Sequence, residues 1–184
     1  MNYIIKPAAV LLITSVITIA ALSVVYNLTL EPIERQKRRT QETAMKEVLP
    51  GVSEYREIPA EKTGSIVAIY EGVNGNTLAG YVVQLSPEGY SGNIDLMVGI
   101  SVLDKKITGM RVLRHSETPG LGALAVKEDF YRRYNNKALV PLGVTRTSPG
   151  DNEIQAITSA TITTRAITNA VNEAIEWFNG AGEK

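Results

Sequence analysis

The sequence predicts an α+β protein: one N-terminal transmembrane helix, then a domain in which an antiparallel sheet is flanked by helices. Three observations predict it. A long uncharged apolar stretch lies near the start, two adjacent pairs of β-type runs are joined by turn residues, and an amphipathic helical pattern closes the chain. Strands followed by helices, without regular βαβ alternation, give α+β rather than α/β. The segments divide as an N-terminal tail at 1–6, the transmembrane helix at 7–28, a connecting helix at 29–51 and the folded domain at 52–184.

The apolar stretch at 7–26 reads PAAVLLITSVITIAALSVVY. Its length of about 20 residues is what a helix needs to cross about 30 Å of hydrocarbon. Thr14, Ser15, Thr18 and Ser23 are compatible with that setting, because helical hydroxyls bond back to the preceding turn. A cleaved signal peptide and a buried core helix are the competing readings; the length favours the anchor. Tyr3 and Tyr26 bracket the stretch as interfacial aromatics do. Residues 31–49 read as a second helix, with Pro32 in its first turn, Ile33, Thr40, Ala44 and Val48 along one side, and Pro50-Gly51 as its stop. The basic run Arg35, Lys37, Arg38 and Arg39 reads as a solvated face near lipid headgroups.

From 65 to 113 the pattern turns to strands. SIVAIY and LAGYVVQL flank Asn74-Gly75, a hairpin signal with a loop longer than two residues, and NIDLMVGISVL and KITGMRVL flank Asp104-Lys105. Residues 129–134 look helical, and 135–150 mostly loop with one short extended piece. From about Thr163, apolar residues at Ile167, Ala170, Val171, Ala174, Ile175 and Phe178 recur at spacings of three and four, giving an amphipathic helix ending at Gly180.

Composition narrows the chemistry. The 184 residues are 44% hydrophobic and 21% charged, which is not the composition of a disordered chain. With 19 Lys+Arg against 19 Asp+Glu there is no net field to gather nucleic acid. The absence of cysteine excludes disulfides, iron–sulfur ligation and a thiol nucleophile, and the lone His115 excludes a multi-histidine metal site within the chain. Any redox chemistry therefore falls to an organic cofactor. No GxGxxG fingerprint, P-loop or acid/base pair near Thr161 is present, so the chain should neither bind NAD in a Rossmann crevice nor modify itself.

The informative residues precede the last helix. Ile157-Thr158-Ser159-Ala160-Thr161-Ile162-Thr163-Thr164 packs five hydroxyls into eight positions. On physics alone this is mainly a helix N-cap cluster, with Thr163 or a neighbour accepting from free amides. A helix N-terminus also favours an anion, so a phosphate on one of these hydroxyls would meet unpaired amides, with Arg165 adding a charged contact. Separately, Thr118-Pro119-Gly120 reads as a tight turn using the permissive φ of glycine, His115 as a hydrogen-bonded loop residue, and Trp177 as packing.

The run 157–163 resembles the flavinylation motif of the FMN-binding subunits of Rnf and Nqr respiratory complexes, in which a threonine carries FMN by a phosphoester bond. The family pattern is Asp, two residues, Ser or Thr, Gly, Ala, Thr. Matching it makes Thr161 the modified residue, with Thr158, Ser159, Ala160 and Thr163 around the cofactor; Ser159 stands where the family usually has Gly, and Gln155 where it has Asp. The loop His115-Ser116-Glu117-Thr118-Pro119-Gly120-Leu121-Gly122 and the turn Gly89-Tyr90-Ser91-Gly92 look like family elements too. Within the resemblance the loop lies against the flavin, making Glu117, Thr118, Leu121 and Gly122 cofactor contacts, and Gly120 and Gly122 the places where backbone approaches the ring.

The resemblance implies an electron-carrying subunit of a membrane-bound ion-translocating ferredoxin:NAD oxidoreductase (Rnf) complex, holding covalent FMN and not completing a reaction alone. Its partners would be the other subunits of that complex, a flavin transferase during maturation, and membrane lipid. The related subunit of the sodium-translocating quinone reductase is the nearest alternative, and an adaptor module without flavin the alternative of another class. The resemblance places the domain on the extracytoplasmic side of the cytoplasmic membrane. The count of Lys6 against Arg35, Lys37, Arg38 and Arg39 points the other way.

Overall fold

Residues 2–59 and 63–181 are described by a computed structural model, with side chains from residue 5 onward. Tyr3, one of the two expected interfacial aromatics, has its side chain outside that description. The chain divides into two compact units, 1–41 and 42–184.

The apolar stretch and the connecting segment are one helix, α1 (Asn2–Val48), rather than a tail and two helices. Pro32 lies inside it. A proline there removes one intrahelical hydrogen bond and crowds the carbonyl four residues back. Glu31 and Arg35, four residues apart, form an exposed ion pair of modest worth across the same turn. The segment is long and apolar enough to cross a membrane. Its large side chains are uncovered, Leu11 and Leu12 being 67% and 66% exposed. Thr14 and Thr18 donate to the carbonyls of Leu11 and Thr14, at 3.0 and 2.9 Å, so these two of the four hydroxyls bond back within the helix as expected.

In the second unit, β1 (Glu54–Ile58), β2 (Ile66–Asn74), β3 (Thr77–Leu85), β4 (Asp95–Ser101) and β5 (Lys106–Arg114) form an antiparallel sheet in the order β1-β2-β3-β4-β5. The first hairpin is tighter than its sequence suggests: Asn74 pairs with Thr77, leaving a two-residue loop that opens on Gly75 at φ +62°. The second hairpin turns over Asp104-Lys105 as expected, with the Asp104 amide donating to Ser101 Oγ at 3.0 Å. β1 is an addition to the sequence reading. It is an edge strand whose Glu54 and Arg56 face water and pair with each other.

Alternation along the strands sends side chains to two cores. On one face, Val82 of β3 and Met97 of β4 pack with Ala44, Met45, Val48 and Leu49 from the end of α1. On the other, Val83, Leu85, Val98 and Ile100 share a core with Ile167, Val171, Ala174 and Ile175 of α3 (Thr161–Ala181). Each buried Val, Leu, Ile or Met side chain among these contributes about 1.5–3 kcal/mol. Trp177 belongs to this packing, its ring edge-on to Tyr81 at 5.2 Å between centroids.

Between sheet and helix the chain runs through a 3₁₀ turn (Gly122–Val126), the short α2 (Glu128–Tyr131) and a second 3₁₀ turn (Arg132–Tyr134). It then forms β6 (Gly143–Thr145) and β7 (Glu153–Gln155), a short parallel pair. The Ala156 amide donates to the Thr145 carbonyl at 2.7 Å, so Arg146 emerges beside the segment leading into α3.

Candidate functional site

α3 begins at Thr161, two residues earlier than its apolar spacing indicates, because a tight turn delivers the chain to it. The Ala160 amide donates to the Ile157 carbonyl at 2.9 Å, and Ser159 sits at φ +62° in the third position of that turn. A type II turn needs φ > 0 there and selects glycine. Ser159, occupying the family's glycine position, therefore holds a left-handed conformation that costs a residue with a Cβ about 1–2 kcal/mol. Ser159→Gly should stabilise the domain by about 1 kcal/mol, read as a higher denaturant midpoint. An unchanged or lower midpoint would contradict the strain.

The hydroxyls do not cap α3 as the cluster reading expects. Ala160 stands at the capping position, its carbonyl accepting the Thr164 amide at 3.1 Å, and alanine has no side-chain acceptor. Thr164 Oγ1 instead donates to that carbonyl at 3.1 Å and accepts from the Ile157 amide at 3.1 Å. Thr163 Oγ1 donates away from the helix to Glu117 Oε2 at 2.7 Å. Among the described residues, no side chain accepts from the amides of Thr161, Ile162 or Thr163.

Glu117 ties three segments together. Its Oε1 accepts from the amides of Tyr90 and Ser91 at 2.8 and 3.0 Å, while Oε2 holds Thr163 on α3. The loop carrying it turns at Thr118-Pro119-Gly120-Leu121, with Gly120 at φ +79° and the Leu121 amide donating to the Thr118 carbonyl at 3.1 Å. Two glycines make room for the carboxylate. A Cβ on Gly89 would stand 2.5 Å from Glu117 Oε1, and one on Gly122 would strike Glu117 Oε2 and lie 2.7 Å from Thr163 Oγ1. Gly120, by contrast, has no protein atom within 4 Å of such a Cβ, and its φ of +79° is the requirement the fold places on it. Burial pushes the Glu117 carboxyl up, but the Ser91 amide, the Thr163 hydroxyl, the Tyr90 amide and nearby His115 together hold it below the ordinary glutamate value. His115 also accepts from the Glu117 amide through Nδ1 at 3.2 Å, the loop-residue role expected of it.

These elements enclose a cavity of about 410 Å³, within the range of small-molecule sites. Its wall includes Glu117, Thr118, Leu121 and Gly122 from the loop and Ser159, Ala160, Thr161 and Thr163 from the start of α3. The cofactor contacts expected from the sequence thus meet at one place apart from Thr158, and Gly120 and Arg165 do not line it either. Thr158 lines a second, adjoining cavity of about 350 Å³ with Ser159, Thr161 and Arg146. Sequence reasoning missed Tyr90, Ile162 and Arg146, which complete the first cavity's wall. Tyr90 and Ile162 are exposed at its rim. Arg146, not the expected Arg165, is the arginine that lines the cavities with Thr161, and it borders both of them. Nothing local in the sequence marks it; the β6-β7 pairing puts it there.

Residues 89–176 match the FMN-binding domain family, and residues 1–48 match the RnfG N-terminal region. The chain is 33% identical to the G subunit of the Na(+)-translocating ferredoxin:NAD(+) oxidoreductase complex of Acetobacterium woodii, covering 94% of this chain and 90% of that one. It is 30% identical to the G subunit of the ion-translocating oxidoreductase complex of Methanosarcina acetivorans, covering 95% and 94%. In fold it resembles the crystal structure of the C subunit of the Na(+)-translocating NADH-quinone reductase from Parabacteroides distasonis, with a TM-score of 0.62 at 14% identity over 81% of this chain and 94% of that one. With a third of its residues shared with such a relative over nearly its full length, the chain belongs to the G-subunit family of ion-translocating oxidoreductase complexes.

Proposed function

We propose that this chain is the single-pass, membrane-anchored electron-carrying subunit of an ion-translocating ferredoxin:NAD oxidoreductase complex, with FMN joined to Thr161 by a phosphoester. The observation that carries the proposal is the uncapped N-terminus of α3 opening, through Thr161, onto a cleft of about 410 Å³. The residues present fit the group. Free amides and the positive end of the helix dipole suit a phosphate, and the Arg146 guanidinium adds a charge partner. Gly122 leaves room for the Glu117 carboxylate in the cleft wall, while Tyr90, Leu121 and Ile162 offer apolar surface to a planar ring. When bound, the flavin supplies reversible electron transfer, and the protein supplies attachment, orientation and the local field.

Of the five hydroxyls before and within the first turn of α3, those of Thr163 and Thr164 are committed to Glu117 and to the Ala160 carbonyl. Thr161 and Ser159 line both cavities, Thr158 only the smaller, and none of the three hydroxyls has such a commitment among the described residues. The match to the family motif is what sets Thr161 apart as the point of attachment. Maturation is assigned to a separate flavin transferase, since among the described residues no acidic or basic side chain hydrogen-bonds Thr161; the other partners are the remaining subunits of the complex and membrane lipid around residues 7–28.

The folded domain is proposed to lie on the extracytoplasmic side of the cytoplasmic membrane, in keeping with the family resemblance. The cations at Arg35, Lys37, Arg38 and Arg39 are carried across with the domain that follows. Two readouts from one preparation test the proposal. After coexpression with a flavin transferase, flavin fluorescence should migrate with the chain in a denaturing gel, and a reporter enzyme active only outside the cytoplasm, fused after Lys184, should be active. A colourless band would favour the adaptor alternative, and activity of a cytoplasmic reporter alone would reverse the sidedness.

A further inference from the structure

We propose that Glu117 is a fixed negative charge built into the wall of the flavin cleft, and that it holds the flavin at a lower midpoint potential than a neutral wall would. The inference rests on the FMN reading above and adds to it a named residue that sets the cofactor's driving force.

The geometry selects an anion at this position. All three groups that reach the side chain are donors: the Tyr90 and Ser91 amides to Oε1 and the Thr163 hydroxyl to Oε2. A neutral amide side chain has only one acceptor atom, so this set matches an ionised carboxylate. Gly89 and Gly122 extend the provision, since a side chain at either place would occupy the space of the two carboxylate oxygens. The balance of burial against donors, which leaves the carboxyl more acidic than usual, agrees with an ionised group.

No cation neutralises it directly. Among the described residues no lysine or arginine forms an ion pair with Glu117. Among the described residues, His115 sits beside Glu117, its Nδ1 accepting from the Glu117 amide, and Arg146 borders the cleft from an exposed position. Glu117 is 6% exposed, so its field is screened far less than that of the exposed Arg146. Reduction adds negative charge to a flavin. A buried carboxylate lining the same cleft opposes that gain by Coulomb repulsion, and the reduced cofactor becomes the stronger donor.

A purely structural latch and a charge make different predictions, because glutamine preserves shape. In Glu117→Gln the side-chain oxygen still accepts from Tyr90 and Ser91, and the Thr163 hydroxyl turns to accept from the new amide. The experiment is a redox titration of the purified flavin-loaded chain, comparing wild type with Glu117→Gln, Glu117→Asp and Thr163→Val. The expected result is a clear positive shift for Glu117→Gln that persists at high salt. Glu117→Asp should stay near the wild-type potential because the charge remains. Thr163→Val should give an unchanged or more negative potential, because it removes a donor and leaves the charge barer. An unchanged potential in Glu117→Gln, or an equal positive shift in Thr163→Val, overturns the proposal. Loss of flavin from Glu117→Gln with retention in Glu117→Asp also overturns it, by assigning the carboxylate to attachment. A wild-type chain that takes no flavin refutes the FMN reading itself, which separates the two failures.

Discussion

Gly122→Val should lower the stability of the folded domain by about 3–5 kcal/mol, the larger effect expected from the two loop glycines, and should shift its thermal midpoint down by roughly 10 °C. Its new Cβ would fall on Glu117 Oε2 and stand 2.7 Å from Thr163 Oγ1, both buried groups already bonded to each other. Two costs add: overpacking of a filled wall, about 1–3 kcal/mol, and loss of a charge-assisted hydrogen bond, about 1.5–3 kcal/mol. Gly120→Ala, two residues earlier, meets nothing within 4 Å and is penalised only for its φ of +79°. That cost is about 1–2 kcal/mol. Chemical denaturation of the two variants checks the contrast. Equal losses in both would show that Gly122 is not packed against the Glu117–Thr163 pair.

Thr161→Ala should abolish the FMN adduct while leaving the fold intact. Thr161 is the first residue of α3, half-buried, with no hydrogen bond from its hydroxyl among the described residues, so trimming it changes stability by about 0.5 kcal/mol or less. Thr161→Ser keeps an oxygen in place and should accept FMN. Thr158→Ala should retain the adduct, since Thr158 borders only the smaller cavity. Thr163→Val should also retain it, because the hydroxyl it removes serves Glu117. Absorbance of the denatured, desalted variants measures the outcome. Flavin retained by Thr161→Ala would move the attachment point elsewhere.

Much of the fold is written locally in this chain. The hairpins announce themselves through Asn74-Gly75 and Asp104-Lys105, and α3 through apolar residues from Ile167 to Phe178 facing one core. Those signals are short-range chemistry, namely turn geometry and periodicity, and a single segment suffices to express them. β1 is not legible in the same way. Glu54 and Arg56 give it a polar outward face, and only pairing with β2 makes an extended edge of it. The continuity of α1 through Pro32 is likewise hidden, since proline reads as a helix start as readily as an interior residue.

The candidate site divides along the same line. The 157–163 run and the 115–122 loop stand out by composition and resemblance, and the structure brings both to one cleft. What joins them does not stand out. Glu117 reads as one carboxylate in a loop until Tyr90, Ser91 and Thr163 are seen to donate to it, from positions up to 46 residues away in sequence. Arg146 enters only through the β6-β7 register, and the hydroxyl cluster suggests capping because side-chain direction is not encoded in spacing. The strain at Ser159 is visible only as a backbone angle, φ +62°, where a glycine would be at ease.

The most direct test of covalent flavin attachment is peptide mapping by mass spectrometry of the full-length chain purified after coexpression with a flavin transferase. The expected result is one FMN per chain, joined through phosphate to Thr161 within the peptide spanning residues 147–165, with Thr158, Ser159, Thr163 and Thr164 unmodified. An adduct on any of those four residues, or a fully matured chain of unmodified mass, would contradict it.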